Sequence, residues 1–175
     1  NQILEYSKDE EKKLTVKSKN FYLKSEIEQI LFAMKSLVES HDNKLNLKTN
    51  MESNEEVYSD VAKIHQLFYN IIGNANKFTN KGTIEVNINQ TLLSDFELKL
   101  DVIIRDNGIG IDKEDLVKIF DAYYQGETSS TQLLGVGLGL NLCKEIVELL
   151  EGEISIDSQK NQGTKVDFHL ILPRT

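Results

Sequence analysis

Cysteine, proline and tryptophan are nearly absent from this chain. Cys143 is the single cysteine among 175 residues, so an internal disulfide is impossible and a thiolate metal cluster is implausible. This scarcity favours a reducing compartment, and we expect a cytoplasmic location. Cys143 itself is expected in the core, on the apolar side of a helix. The single proline, Pro173, is expected to lie past the last strand and to end it.

Long apolar runs and an excess of positive charge are also missing. The apolar runs are only a few residues long, far short of a membrane span, and no basic-then-apolar signal segment opens the chain. The formal net charge is -8, so a nucleic acid would be repelled. We therefore expect no nucleic-acid partner and no membrane segment, and a local site for any polyanion. Because the chain opens on Asn1, we also expect it to be a fragment of a longer protein.

The hydrophobic spacing predicts one domain that mixes helices and strands. Apolar residues at three- and four-residue spacing predict helices, and alternation predicts strands. A capping box of Ser25 and Glu28 is expected to begin the first full helix, and Asp112 to cap a short helix that runs through Phe120. The predicted helices are 25–38, 60–78 and 138–150, and the predicted strands are 44–50, 84–88, 98–104, 153–157 and 165–172. This grouping predicts an α/β (α+β) sandwich of two layers, with a mixed, largely antiparallel sheet on one layer of helices.

Glycines are concentrated in two short segments, Asp106-Asn107-Gly108-Ile109-Gly110-Ile111 and Gly135-Val136-Gly137-Leu138-Gly139-Leu140. The first follows a predicted strand, where a carboxylate can accept a hydrogen bond from an exocyclic amine such as that of adenine, while glycines let the ring approach. The second opens a helix, where glycine costs roughly 1 kcal/mol relative to alanine, which suggests close approach of the backbone to phosphates. A glycine pair after a strand is often only a tight turn. Neither the Lys-Ser/Thr ending of a P-loop nor the acidic residue of a dinucleotide fold is present.

The predicted helix 60–78 carries a second chemical signal. Asn70, Asn74 and Lys77 fall within a stripe roughly 60° wide, apart from the apolar face. Carboxamide oxygens suit a Mg²⁺ that is shared with phosphates, and the lysine adds a positive charge. Taken alone, such a stripe is more often a solvated helix face. Beside the two glycine segments, a nucleotide site is the better interpretation.

Four segments follow one another along the chain, and two shorter ones come after them. They are His65 to Thr79, Asp106 to Gly110, Ile119 to Gln125 and Gly135 to Leu140, followed by Gly152-Glu153-Ile154 and Gly163 to Phe168. The first four resemble, in order, the N, G1, F and G2 boxes of sensor histidine kinases. The resemblance covers the chain from about Phe21, and Ile3-Leu4-Glu5-Tyr6-Ser7 looks like the end of the helix that links a dimerisation hairpin to the catalytic domain. It implies that 1–20 are the end of that helix and a linker, and that 21–175 are the catalytic ATP-binding domain.

The resemblance implies a Bergerat-type ATP-binding fold with ATP and Mg²⁺ as cofactors. Asp106 would read the adenine amine with support from Thr164, Asn74 would bind Mg²⁺, and Asn70 would add to the metal and phosphate shell. The remaining nucleotide contacts would come from Lys77, Tyr124, Gly108, Gly110, Gly135, Gly137, Leu138, Gly139 and Leu140, the later glycines hinging a lid. The γ-phosphoryl would pass to a histidine on the dimerisation hairpin of a homodimer and then to a response-regulator receiver domain, and positioning by groups such as Asn70 and Lys77 would carry the catalysis.

Departures from the family pattern leave two alternatives open. Ala122 stands where the family usually has proline, and Gln125 where a basic residue is common. None of the histidines, His41, His65 and His169, lies in the expected acceptor context, so the fragment should bind ATP without phosphorylating itself efficiently. The alternatives are a nucleotide-binding regulatory module without catalysis, and an ATPase of the gyrase, MutL or Hsp90 kind. The ATPase is disfavoured because Asn70 stands where such enzymes carry a glutamate base.

Overall fold

A computed structural model describes residues 15–120 and 139–175 of the chain. These residues form a five-stranded sheet, a separate two-stranded ribbon and four helices. The strands are β1 (Lys19–Tyr22), β2 (Lys44–Thr49), β3 (Glu56–Ser59), β4 (Thr83–Leu92), β5 (Glu97–Asp106), β6 (Glu153–Gln159) and β7 (Gly163–Pro173), and the helices are α1 (Leu23–Glu39), α2 (Val61–Phe78), α3 (Lys113–Leu116) and α4 (Gly139–Leu149).

The main sheet has the order β2-β4-β5-β7-β6 and is largely antiparallel. Only β2 and β4 run parallel, while β4 and β5 form the predicted hairpin, in which Leu92 pairs with Leu98. Alternate residues of β4, β5 and β7 are buried, and they share one core with the apolar stripes of α1, α2 and α4. The predicted mixed sheet on one layer of helices is confirmed.

Helix α1 begins without the predicted capping box. Its N-cap residue is Tyr22, and no side chain of the helix caps it. Instead, Asn54 accepts a hydrogen bond from the Ser25 N–H (3.2 Å) and donates one to the Ser25 hydroxyl (2.8 Å), and the Glu55 carbonyl accepts from the Leu23 N–H (2.9 Å). The capping-box prediction was wrong because a distant segment satisfies the free N–H groups of the first turn.

The short elements depart most from the sequence-based expectation. The β1–β3 ribbon was not predicted, since strands of four residues carry too little alternation. Helix α3 ends at Leu116 rather than Phe120, and Asp112 caps it only through its carbonyl, because its carboxylate pairs with Lys160 (2.8 Å). Pro173 is the last residue of β7, not a residue beyond it. β6 pairs with β7 only as far as His169, so the missing N–H of Pro173 costs little there.

Helix α2 matches its prediction closely. Asp60 is its N-cap residue, and Asp60 Oδ1 accepts a hydrogen bond from the Lys63 N–H at 3.1 Å. The other oxygen, Oδ2, accepts from the Lys17 N–H at 2.7 Å, which ties the segment before β1 to the start of α2. Neither α2 nor any other helix in 15–120 and 139–175 combines the length and the apolar character that a membrane crossing requires.

Candidate functional site

Helix α2 carries the predicted polar stripe on a face apart from its apolar one. Its apolar residues are buried against the sheet, and Phe68 meets Phe168 of β7 edge to face, with ring centroids 5.8 Å apart. Asn70 and Asn74 are half-buried on another face, and Lys77 is exposed in the last turn. The helical spacing that predicted this stripe is therefore realised in the fold.

The start of α4 lies against the two carboxamides. A Cβ atom added to Gly139 would lie 3.8 Å from Asn74 Nδ2 and 4.0 Å from Asn70 Cγ. The described end of the second glycine segment, Gly139 and Leu140, therefore borders the stripe on α2. Tyr124, Gly135, Gly137 and Leu138 lie outside the described residues, as do Ala122 and Gln125.

Asp106 ends β5 beside the last turn of α2. Its Oδ1 accepts a hydrogen bond from the Gly108 N–H at 2.8 Å. Burial raises the pKa of this carboxyl above its usual range, while the Gly108 N–H, the Thr164 N–H and the Thr79 hydroxyl favour the charged form and oppose that rise. Thr164, predicted as a supporting residue, is thus brought to Asp106, and Thr79 joins it from the other side.

Gly108 and Gly110 are required by the packing of the loop itself. A Cβ atom on Gly108 would collide with the Phe78 carbonyl, and one on Gly110, whose φ is 66°, would collide with the Gln159 carbonyl. The Ile109 N–H also donates to the Phe78 carbonyl at 3.1 Å. The loop is thereby fixed between the end of α2 and the β6–β7 turn. These contacts explain both glycines without a ligand, so their contact with a nucleotide stays a prediction.

Three polar residues that sequence reasoning missed also hold this region. Asn107 Oδ1 accepts from the Thr83 N–H at 2.9 Å, and the Ser158 hydroxyl accepts from the Ile111 N–H at 2.9 Å. The third, Asn43, is buried and contacts both α2 and the entry to β4. Asn107 lies within the first glycine segment, but no local pattern shows what any of the three residues binds, because their partners are distant in sequence.

A cavity of about 720 Å³ lies beside the loop. It is lined by residues 111–115 together with Gln159 and Lys160. Neither Asp106 nor the carboxamides of α2 border it. We therefore place the candidate site at the meeting of α2, the start of α4 and the end of β5, not in this cavity.

The donor set beside α2 suits a hard cation shared with phosphates. The described residues contain no group of three His, Cys, Asp or Glu side chains placed to hold a metal alone. Asn70 Nδ2 is buried, and among the described residues it has no hydrogen-bond acceptor of ordinary geometry. The amide faces Cys143, a buried thiol whose pKa burial raises to about 12. Two carboxamide oxygens fill only part of the coordination shell of a metal ion, and phosphate oxygens would complete it. This combination fits Mg²⁺.

Two of the histidines have side-chain or backbone partners outside the candidate site. His65 Nε2 lies 3.0 Å from Glu26 Oε2, and the side chain is half-buried, as expected for a helix residue. His41 is exposed, and its Nδ1 lies 3.1 Å from the carbonyl of Leu37 in its own helix. Neither histidine borders the stripe formed by Asn70 and Asn74.

Comparison with known proteins shows the family to which the chain belongs. Residues 59–174 match the family described as histidine kinase-, DNA gyrase B-, and HSP90-like ATPase. The signal transduction histidine-protein kinase BarA of Escherichia coli is 35% identical over 175 residues, a match that covers 98% of this chain and 19% of BarA. The chain thus spans about a fifth of the length of that relative.

Solved histidine kinase structures share the fold. Full-length ShkA in complex with AMPPNP has a TM-score of 0.76 at 19% identity, covering 100% of this chain and 35% of that one. ThkA in complex with the response regulator TrrA has a TM-score of 0.70 at 23% identity, covering 99% of this chain and 46% of that one. The chain belongs to the histidine kinase-, DNA gyrase B- and HSP90-like ATPase family, and it corresponds to the ATP-binding catalytic domain of the sensor histidine kinases in that family.

Proposed function

We propose that this chain binds Mg-ATP and donates the γ-phosphoryl group to a histidine on a dimerisation hairpin elsewhere in the full-length protein. The observation that carries the proposal is the meeting of three elements. Asn70 and Asn74 project from α2, Gly139 lies against both, and Asp106 lies at the end of the same helix. From Asn70 to Phe78 the helix rises roughly 12 Å, so a base at Asp106 and phosphates near Asn70 would occupy opposite ends of one surface.

Each end of that surface has a separate role. At the base end, Asp106 accepts a hydrogen bond from the adenine amine, with Thr164 beside it, and Gly108 and Gly110 shape the loop. At the phosphate end, Asn74 would hold Mg²⁺, and Asn70 would add a second carboxamide. When bound there, the ion would neutralise charge on the phosphates. The other proposed nucleotide contacts are Lys77, Tyr124, Gly135, Gly137, Leu138, Gly139 and Leu140.

In this arrangement, catalysis of phosphoryl transfer rests on positioning of the reacting groups. Phosphoryl transfer needs alignment of the reactants and neutralisation of the phosphate charge more than a protein nucleophile, and none of Asn70, Asn74 and Gly139 is a nucleophile. Asn70 and Lys77 would fix the phosphates while the acceptor imidazole attacks. Asn70 cannot serve as a general base for water, which favours transfer to histidine over the ATP hydrolysis of gyrase-like relatives.

The proposed partners follow from that acceptor. The dimerisation hairpin would receive the phosphoryl group, and a response-regulator receiver domain would take it next. ThkA, which shares this fold, forms a complex with a response regulator, and this supports the second partner. We further propose a homodimeric full-length protein in the cytoplasm or anchored to a membrane, in which 1–20 hold the end of the linking helix and a linker, and 21–175 form the catalytic domain. The end of that linker, from Lys19, already pairs with β3 as part of β1.

A reconstituted transfer reaction tests the proposal. The purified chain is mixed with the separately produced hairpin of the same protein and labelled ATP, with and without Mg²⁺. We expect an acid-labile phosphohistidine on the hairpin only when Mg²⁺ is present, and none when the chain carries Asn74→Ala or the hairpin lacks its histidine. Calorimetric binding of Mg-ATP without any phosphohistidine would instead identify a regulatory module.

A further inference from the structure

Asn43, in the turn between α1 and β2, joins two segments that border the candidate base site. It is 2% exposed and uses both ends of its carboxamide. Its Nδ2 lies 3.2 Å from the Asn76 carbonyl, 2.8 Å from Asn76 Oδ1 and 3.0 Å from the Thr79 carbonyl. Its Oδ1 accepts from the Gly82 N–H at 2.9 Å. One side chain therefore connects the end of α2 to the entry of β4.

The same two segments hold the loop that follows Asp106. At the end of α2, the Phe78 carbonyl accepts from the Ile109 N–H and leaves no room for a side chain on Gly108. At the entry of β4, the Thr83 N–H donates to Asn107 Oδ1. Phe78 and Thr83, which hold the loop, are thus the direct neighbours of Thr79 and Gly82, which Asn43 binds.

Thr79 also lies between Asn43 and the carboxylate. Its hydroxyl is buried and faces Asp106, where it favours the charged form, but among the described residues it makes no hydrogen bond of ordinary geometry. Because Asn43 binds the Thr79 carbonyl, it also fixes the residue that carries this hydroxyl. Loss of Asn43 would leave three backbone groups, the carbonyls of Asn76 and Thr79 and the N–H of Gly82, without a buried partner. These groups would move toward other partners, and the Asp106 loop would move with them.

We propose that Asn43 is a positioning residue for nucleobase recognition, one that sets the place of Asp106 without touching the nucleotide. The proposal rests on the proposed function, since it assumes that Asp106 reads the adenine amine. It is specific in one respect: Asn43 should matter for the distinction between a 6-amino and a 6-oxo purine, because only the amine can donate to the carboxylate.

The test compares the affinities of ATP and inosine triphosphate by calorimetry. For the unaltered chain, we expect tighter binding of ATP. In Asn43→Ala, ATP affinity should fall by roughly tenfold and inosine triphosphate affinity much less, so that their ratio approaches one. Val57→Ala serves as the control, because it removes buried volume from the β1–β3 ribbon and lowers stability away from the loop. At a temperature where both variants are folded, the control should keep the ratio of the unaltered chain.

The possible outcomes distinguish the role of Asp106 from the role of Asn43. If the unaltered chain does not prefer ATP, the proposed reading of adenine by Asp106 fails, and the role of Asn43 fails with it. If the unaltered chain prefers ATP and Asn43→Ala keeps that preference, the inference about Asn43 alone is overturned. Asn43→Ser keeps one hydroxyl for hydrogen bonding and should give an intermediate ratio, which decides the matter should the alanine variant not fold. Adding Asn43→Ala to Asp106→Asn should change the ratio no further, because both substitutions act on one contact.

Discussion

Asp106 is a buried carboxylate whose charge works against the fold. Burial raises its pKa, so between the usual value and the raised one the folded chain binds more protons than the unfolded chain. Stability associated with this group therefore falls as pH rises through that window, and at neutral pH the charged form opposes folding. A group retained at such a cost is a candidate for ligand binding.

We accordingly expect Asp106→Asn to stabilise the chain while it weakens nucleotide binding. At neutral pH the midpoint of thermal unfolding should rise by a few degrees, because the amide keeps an oxygen for the Gly108 N–H and carries no charge. Calorimetry should show ATP affinity lower by at least roughly tenfold. Melts repeated at about pH 4, near the ordinary pKa of aspartate, should show a smaller gain. Unchanged ATP affinity would exclude Asp106 from the base site.

Cys143 is expected to be chemically inert in the folded chain. Burial raises the pKa of its thiol to about 12, so almost no thiolate is present at neutral pH, and the side chain is fully covered. Labelling with an aromatic disulfide reagent should therefore proceed at the rate at which α4 opens, and it should become fast in urea. A peptide that contains the same cysteine gives the reference rate. Rapid labelling of the folded chain would show that α4 leaves the core easily.

Some site residues could be predicted from the sequence, and others could not. Asn70 and Asn74 could be placed on one face because helical spacing is a local property. Asn43 could not be predicted, since its partners lie 33 to 39 positions away, and nothing in the turn sequence distinguishes it from a solvated asparagine. The reason for Gly108 was also hidden, because the carbonyl of Phe78 that excludes a side chain there belongs to another element.

At the scale of elements, Asp60 connects α2 to the segment that precedes β1. Its two oxygens accept hydrogen bonds from the Lys63 and Lys17 N–H groups. Asp60→Ala should lower the free energy of unfolding by about 1–2 kcal/mol, because a helix cap and a tertiary contact are both lost. Lys17→Pro removes only the second donor and should cost less than Asp60→Ala. Urea denaturation measures both values, and equal losses would show that the cap itself contributes nothing.

The elements also show where local patterns mislead. Helices α2 and α4 were predicted nearly to their ends, because both are strongly periodic. The β4–β5 hairpin was also predicted, although β4 runs to Leu92 rather than ending at Ile88. The start of α1 was not, since Asn54 and Glu55 from the segment before β3 supply what a capping box would supply. The β1–β3 ribbon was not predicted either, because its two strands pair across an intervening helix and strand, with Lys19 opposite Ser59.

At the scale of the whole molecule, Arg174 joins the ribbon to the main sheet. Its backbone N–H donates to the Phe96 carbonyl at 2.7 Å, and its guanidinium donates to the Asp95 carbonyl at 3.0 Å in the β4–β5 turn. The guanidinium also donates through Nε to Glu55 Oε2, at 3.1 Å. Glu55 in turn holds the start of α1 through its carbonyl. One side chain near the chain end thereby links the β4–β5 turn to the first turn of α1.

Removal of Arg174 should loosen this connection in a pH-dependent manner. The Ser53 hydroxyl and then the Arg174 guanidinium hold the pKa of Glu55 below its ordinary value. The stability that this gives is present above the ordinary pKa and is lost as pH falls through the folded one. Near neutral pH, Arg174→Ala should therefore cost about 1 kcal/mol in urea denaturation, a modest value because the pair is partly exposed.

The pH series distinguishes this contact from a general loss of packing. The difference between Arg174→Ala and the unaltered chain should shrink as pH falls toward about 4, where Glu55 begins to take up a proton in the unfolded chain. It should not vanish, since the carbonyls of the β4–β5 turn lose their donor at any pH. Arg174→Lys keeps the charge, but a single ammonium cannot reach both Glu55 and the turn, so it should recover only part of the loss. A difference independent of pH would mean that Glu55 gains nothing from Arg174 and that the turn contacts alone hold the ribbon to the sheet.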